Sequence, residues 1–246
     1  MVTTLIVTGI VLTAMPIGDF DKRLVILTKE RGKITAFAKG ARKQNSALLA
    51  CSQPFTFGEF TVYEGRTSYT LTAANVSNYF IELREDLSTI YYGLYFCEFT
   101  EYLTKENAND IDALKLLYQS LRALVKKTIE PELIRYIFEL KLISINGEGP
   151  QVFECVKCKS IVDNYLFHSS SGGLLCSACA SKLGDCIKVT GSTVYTMQYI
   201  ISSSIEKLYT FTVTNNVLQE LRHCMKQYRN TYVDKKFKSI EVLETL

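Results

Sequence analysis

Two Cys-x-x-Cys pairs, Cys155/Cys158 and Cys176/Cys179, stand 17 residues apart and are the most chemical feature of the chain. Each pair can supply two thiolates from one tight turn while the spacer doubles back, which is the pattern of a four-cysteine zinc site. Ser169-Ser170-Ser171-Gly172-Gly173 places flexible residues just before the second pair. A closed four-sulfur set leaves no open coordination position, so the expected cofactor is one structural Zn2+ per chain. The segment 153–182 is too short and polar to build its own core, and metal binding coupled to folding would do that work. It would fix the helices on either side, with Lys157, Lys159 and Lys182 available to a partner. His168 lies inside the loop, but four cysteines already complete the tetrahedron. Cys51, Cys97, Cys186 and Cys224 have no partner spacing and read as small apolar residues. His223 reads as a surface residue.

A redox enzyme would use Cys-x-x-Cys once, at a helix start beside a βαβ unit, and not twice across a glycine loop. There is no phosphate-cradling Gly-Lys-Ser/Thr motif either. The chain is therefore expected not to be an enzyme.

The elements around the cysteines divide into two kinds. Residues 3–75 read as β: Thr3–Leu12, Leu24–Thr28, Lys33–Lys39, Phe55–Glu64 and Thr67–Ala73, the last two joined through Glu64-Gly65-Arg66. Five short strands with little helix between them suggest an OB-type barrel, whose curved face commonly binds nucleic acid. From Ile81 the apolar period becomes helical, with helices expected over 81–106, 111–127, 131–145, 192–203, 215–228 and from Ser239 to Leu246. The fold class is thus α+β multidomain. Its expected OB-fold β-barrel, a candidate DNA-binding domain over 1–78, precedes an expected helical domain over 79–246 with the zinc-binding segment 153–182 inserted.

Composition is that of a globular chain, 47% hydrophobic and 22% charged, with a net charge of only +3. No apolar run approaches a membrane span, and residues 1–15 lack a basic n-region and a cleavage site, so neither export nor a membrane is expected. Eight cysteines in such a chain suggest reduced thiols and metal. The charge is unevenly spread. Between Asp21 and Lys43 eight basic residues face two acids, leaving the remainder net acidic, and a second basic zone runs from Arg222 to Lys238. Two such zones are a candidate footprint for a polyanion or, alternatively, solvated faces of ordinary elements.

The order of these parts resembles the bacterial recombination mediator RecO family. Gly9-Ile10-Val11-Leu12 and Gly18-Asp19-Phe20-Asp21-Lys22-Arg23-Leu24-Val25 resemble its opening strand, loop and second strand. Thr28-Lys29-Glu30-Arg31-Gly32-Lys33 and Ala38-Lys39-Gly40-Ala41-Arg42 resemble its basic hairpin and the segment after it. Gln53-Pro54-Phe55 with Gly58-Glu59, Arg135–Leu140 with Gly147 and Pro150, the cysteine pairs, and Phe237-Lys238-Ser239 with Glu241 and Leu243 continue the likeness. The resemblance implies DNA repair in the cytoplasm, associated with the nucleoid. It implies binding of single- and double-stranded DNA and strand annealing. The implied partners are RecR and the C-terminal tail of single-strand-binding protein, with RecA served indirectly. A zinc-ribbon RNA-binding or transcription-associated protein is the alternative.

For DNA the candidates are Arg23, Lys29, Arg31, Lys33, Lys39, Arg42 and Lys43, on or beside the second and third strands. Phe37, Phe57, Phe60, Tyr63 and Tyr69 are either core or base-stacking residues. For the acidic, Phe-ended tail the resemblance implies a pocket on the helical domain. Arg135 sits at the matching helix position with Phe138 and Lys141 nearby, and an Arg fork suits a terminal carboxylate. A solvated helix face is the other reading of Arg135.

Overall fold

Alternation along five strands puts Val7, Val11, Leu24, Ile26, Ile34, Ala36, Ala38, Phe60, Val62 and Leu71 into one buried core. The computed structural model, which describes residues 4–161 and 164–245, closes these strands into a barrel. They are β1 (Thr4–Ile17), β2 (Asp21–Thr28), β3 (Gly32–Ala38), β4 (Phe57–Glu64) and β5 (Tyr69–Asn78), in the order β1-β2-β3-β5-β4. All pairings are antiparallel except β3 with β5, and β1 pairs with β4 to close the ring. This is the OB-like barrel expected. A short helix, α1 (Leu48–Cys51), adds Leu48 and Cys51 to its core.

β1 is longer than its early alternation suggests because it serves two neighbours. Thr4–Ile10 pairs with β4 and Gly9–Ile17 with β2, with a register shift between Val11 and Thr13. Where the strand turns from one partner to the other, Gly9 lies opposite Gly58. A Cβ on Gly9 would stand 2.3 Å from the Leu27 carbonyl oxygen, and one on Gly58 2.3 Å from that of Asn75. The closing strands therefore have no room for a side chain at either position. The expected start at Thr3 and the expected final residue of the last helix, Leu246, lie outside the described residues.

Helices cover part of the barrel. α2 (Leu87–Leu103) begins where Asp86 accepts a hydrogen bond from the Thr89 amide at 2.7 Å, which separates it from the single 3-10 turn Ile81–Arg84. α3 (Ile111–Lys126) follows. Val25 and Leu27, on the β2 face opposite Leu24 and Ile26, are also buried, and α3 packs against β2. These helices belong to the same compact unit as the barrel, which comprises residues up to Lys126 together with those from Phe237.

The second unit is Lys127–Lys236. It contains α4 (Pro131–Ile145), the strands β6 (Tyr165–His168) and β7 (Gly173–Cys176), α5 (Ser177–Ala180), β8 (Ile187–Val189), α6 (Gly191–Ser202) and α7 (Asn215–Tyr232). The three strands form a small sheet, β7-β6-β8. α4 is the central helix, buried from Leu133 to Ile143. Its Glu139 has no exposure and accepts on one carboxylate oxygen from Arg135 Nε at 2.9 Å and Arg229 Nη1 at 3.3 Å, tying α4 to α7. Nearby, Arg222 of α7 grips Glu132 through Nε at 2.6 Å and through Nη2.

The last helix, α8 (Lys238–Leu243), returns to the first unit. Phe237 sits edge-on to Tyr95, Phe99 and Tyr102 of α2, with centroids 5.5, 5.5 and 5.9 Å apart, and Ser239 donates to Glu98 at 2.7 Å.

Removing the Glu139 carboxylate leaves two buried guanidinium groups facing each other. Glu139→Ala is expected to lower stability by about 3–5 kcal/mol, read as a fall in the denaturation midpoint. A midpoint matching wild type would show that the carboxylate does not hold α4 to α7.

Candidate metal centre and nucleic-acid interface

Cys155 precedes a tight turn in which the Lys159 amide donates to the Cys155 carbonyl at 2.9 Å, with Lys159 itself left-handed (φ 63°). Cys176 ends β7, and Cys179 lies in α5 just after it. These two turns bring the four sulfurs within 4.8 Å of one another, with Cys158 and Cys176 at 3.7 Å. Four thiolates around a metal at about 2.3 Å would have edges of about 3.8 Å, so the residues fit a metal ion that takes four thiolates tetrahedrally, such as zinc. Cys155 and Cys176 are buried, Cys158 exposed and Cys179 between.

Cys158 and Cys179 differ in proton affinity. The Ser160 hydroxyl, 3.0 Å from its sulfur, is the main reason the Cys158 thiol is pushed down to about 6. Hydrogen bonds to Cys176 and Cys158 push Cys179 up to about 12. The Cys158 thiolate thus forms readily, whereas Cys179 keeps its proton unless a cation compensates. Because ligand thiols must lose their protons to bind, metal affinity falls as pH falls.

The seven basic candidates do not form one patch. Arg23, Lys39, Arg42 and Lys43 are exposed at one end of β2–β3, while Lys29 and Arg31 are exposed at the hairpin that ends β2. Six ladder steps separate the Lys22–Ala38 and Thr28–Gly32 pairs, so the two groups lie about 20 Å apart. Lys33 is half-buried, and its ammonium donates to the Glu101 carbonyl at the end of α2. Lys22, counted in the same basic run, is buried and donates to the Ser52 carbonyl at 2.9 Å and hydroxyl at 3.1 Å. Burial lowers its pKa, Cys51 nearby opposing and Arg42 adding to the shift.

Among the barrel aromatics, Phe60 is core, Phe57 is half-buried against Tyr118 at 4.6 Å, Phe37 and Tyr69 are half-buried, and Tyr63 is exposed. Phe20, in the β1–β2 turn, is the exposed aromatic that the pattern of strands passed over. It is 52% exposed with the Lys43 ammonium 5.5 Å from its ring centre.

Arg135, Phe138 and Lys141 all lie on α4 and all are buried. Arg135 holds Glu139, and Lys141 donates to the carbonyls of Ile201 and Ser203 at 2.7 Å each, closing the end of α6. The C-terminal basic zone likewise spends Arg222 on Glu132 and Arg229 on Glu139.

Both halves of the chain match family models: residues 1–80 the N-terminal part of recombination protein O, and 84–241 its C-terminal part. The chain is 35% identical to the DNA repair protein RecO of Alkaliphilus metalliredigens over 240 residues, covering 97% of this chain and 98% of that one. The chain belongs to the RecO family. It is also 31% identical over 239 residues to the DNA repair protein RecO of Acetivibrio thermocellus, covering 97% of this chain and 95% of the relative. RecO membership fits a five-stranded barrel followed by helices and a four-cysteine cluster. Among the described residues no helix is long and apolar enough to cross a membrane.

Cys176→Ser is expected to abolish stoichiometric metal uptake, measured by elemental analysis, and to melt at a lower temperature than the metal-loaded wild type. A variant that takes up metal as well as wild type would remove Cys176 from the ligand set.

Proposed function

We propose that the chain is a non-enzymatic recombination mediator that binds single- and double-stranded DNA and anneals complementary strands in the cytoplasm. With RecR it would help load RecA onto DNA coated by single-strand-binding protein. The reading rests on family membership along the whole length, joined to six exposed cations on and beside β2 and β3. Arg23, Lys39, Arg42 and Lys43 at one end and Lys29 and Arg31 at the other stand about 20 Å apart, roughly the span of six phosphates of one duplex strand, so the two groups can hold separate stretches of one backbone. Backbone contacts position a strand without reading its bases, and annealing of any complementary pair needs such a surface. Lys33 belongs to this proposal as a residue that holds the hairpin on α2, setting the height of Lys29 and Arg31.

The ion proposed for Cys155, Cys158, Cys176 and Cys179 is zinc. When bound it supplies charge that keeps the thiols ionised and closes the loop between α4 and α6. The chain's own part is to hold the four sulfurs through the Cys155–Lys159 turn and the β7–α5 junction.

For the tail of single-strand-binding protein, the proposed contacts are Arg135, Phe138 and Lys141. Since they are buried, the peptide must part the side chains around α4 to reach them. Arg135→Ala, checked for folding by its melting curve, is expected to weaken tail-peptide binding tenfold or more while naked-DNA affinity holds. Equal peptide affinity would take Arg135 out of the site.

The main experiment is annealing of complementary strands coated with single-strand-binding protein. Charge reversal of Arg31, Lys39 and Arg42 together should slow it strongly and leave the fold intact. With six phosphate contacts, log affinity should fall against log salt with a slope of about −5 on duplex and about −4 on single strands. Salt-independent binding, or unchanged binding by the triple variant at matched salt, would refute the interface.

A further inference from the structure

We propose that the β1–β2 turn is a stacking platform for a nucleobase of single-stranded DNA, with Phe20 as its ring and Arg23, Arg42 and Lys43 holding the adjoining phosphates. This rests on the DNA-binding reading above and adds to it a contact that charge alone does not provide.

The turn displays apolar surface where a small barrel has no use for it. Phe20 is 52% exposed, and Met15 and Ile17, two residues apart on one face of β1, are 55% and 40% exposed. Met15 pairs across the ladder with Arg23, which pairs in turn with half-buried Phe37, so apolar groups and a cation alternate across neighbouring strands on the side away from core residue Leu24. Grouped apolar side chains on a surface mark a binding site more often than a single one does.

The ring is also held in place. The Arg42 amide donates to the Phe20 carbonyl at 2.8 Å, and Arg42 Nη1 to the Gly18 carbonyl at 3.1 Å. The Gly40 amide donates to Asp21 at 2.7 Å. Gly18 adopts φ 52° with open space around it, the left-handed bend that lets the turn project. These bonds lash the turn to the segment after β3, so little backbone freedom remains to be lost on binding.

Charge selects the occupant. The Lys43 ammonium lies 5.5 Å from the ring centre, Arg42 is bonded to the turn at Gly18 and Phe20, and Arg23 and Lys39 are exposed at the adjoining ends of β2 and β3. The acids of the turn are Asp19 and Asp21, and Asp21 is engaged by Gly40. An exposed aromatic ring with one cation on it and others on the adjoining segments suits a polymer that alternates flat apolar bases with phosphates. A duplex keeps its base faces inside its own stack and can use the cations only. The platform therefore gives single strands an increment that duplex does not receive. Stacking also leaves the pairing edge of the base unread, which suits annealing.

The chain has no tryptophan, so Phe20→Trp introduces its sole indole. Its emission should be quenched by oligo(dT) and not by a duplex of equal length. Phe20→Ala should weaken oligo(dT) binding by about five- to hundredfold. It should leave duplex affinity, melting temperature and the salt slope as in wild type, because a neutral ring releases no counterions. Arg42→Ala should instead reduce the single-strand slope by about 0.7. Wild-type oligo(dT) affinity in Phe20→Ala, or an indole that answers only to a protein partner, overturns the platform and leaves the phosphate interface standing. Failure of the unaltered protein to bind either form of DNA overturns the broader reading, and the platform with it.

Discussion

Closure of the barrel depends on two glycines that face each other. Gly9 and Gly58 let β1 pass from β4 to β2 at a spacing that would put any Cβ into a carbonyl of the next strand. The bend there lets a single strand of fourteen residues hold two edges at once. With the ring closed, β2 and β3 expose their outer face, and α2 and α3 can cover only part of it. The cations, the exposed turn and the hairpin all take their places from that curvature. Pro16 near the end of β1 fits the same scheme, because this half of the strand pairs on one side only and has no second ladder to supply with amides.

The cysteine centre was legible because ligand spacing is written in the chain itself: a metal needs residue types at fixed intervals, and few other constraints produce them. The barrel was legible from alternation and turn chemistry. The small sheet β7-β6-β8 was not, because strands of three and four residues are too short for alternation to register. The far half of β1 was hidden for a related reason, since its register shift after Val11 breaks the period of two. The start of α2 was missed by a turn because Ile81 and Leu83 carry helical spacing into a 3-10 segment that Asp86 then ends.

Charge is where sequence and structure part most clearly. Lys22, Lys33, Arg135, Lys141, Arg222 and Arg229 count as cations in any tally, yet each has a hydrogen-bonding duty within its own unit. A linear sequence gives a lysine that caps α6 and a lysine that meets solvent the same symbol. What separates them is which backbone carbonyl or carboxylate the fold delivers, and that depends on contacts such as Lys141 with Ile201, sixty positions away. The same limit hid Phe20, whose exposure follows from the turn being lashed to the chain after β3.

The return of Phe237 to α2 sets an order on biosynthesis. The aromatic face formed by Tyr95, Phe99 and Tyr102 is made early, but the ring that fills it is translated only after the whole of the second unit. Until then a nascent chain carries a sticky, unfinished surface on α2 beside a barrel whose strands are all made. A ribosome that stalls within the cysteine loop would leave that surface open, a ready mark by which chaperones and proteases could tell an unfinished chain from a finished one.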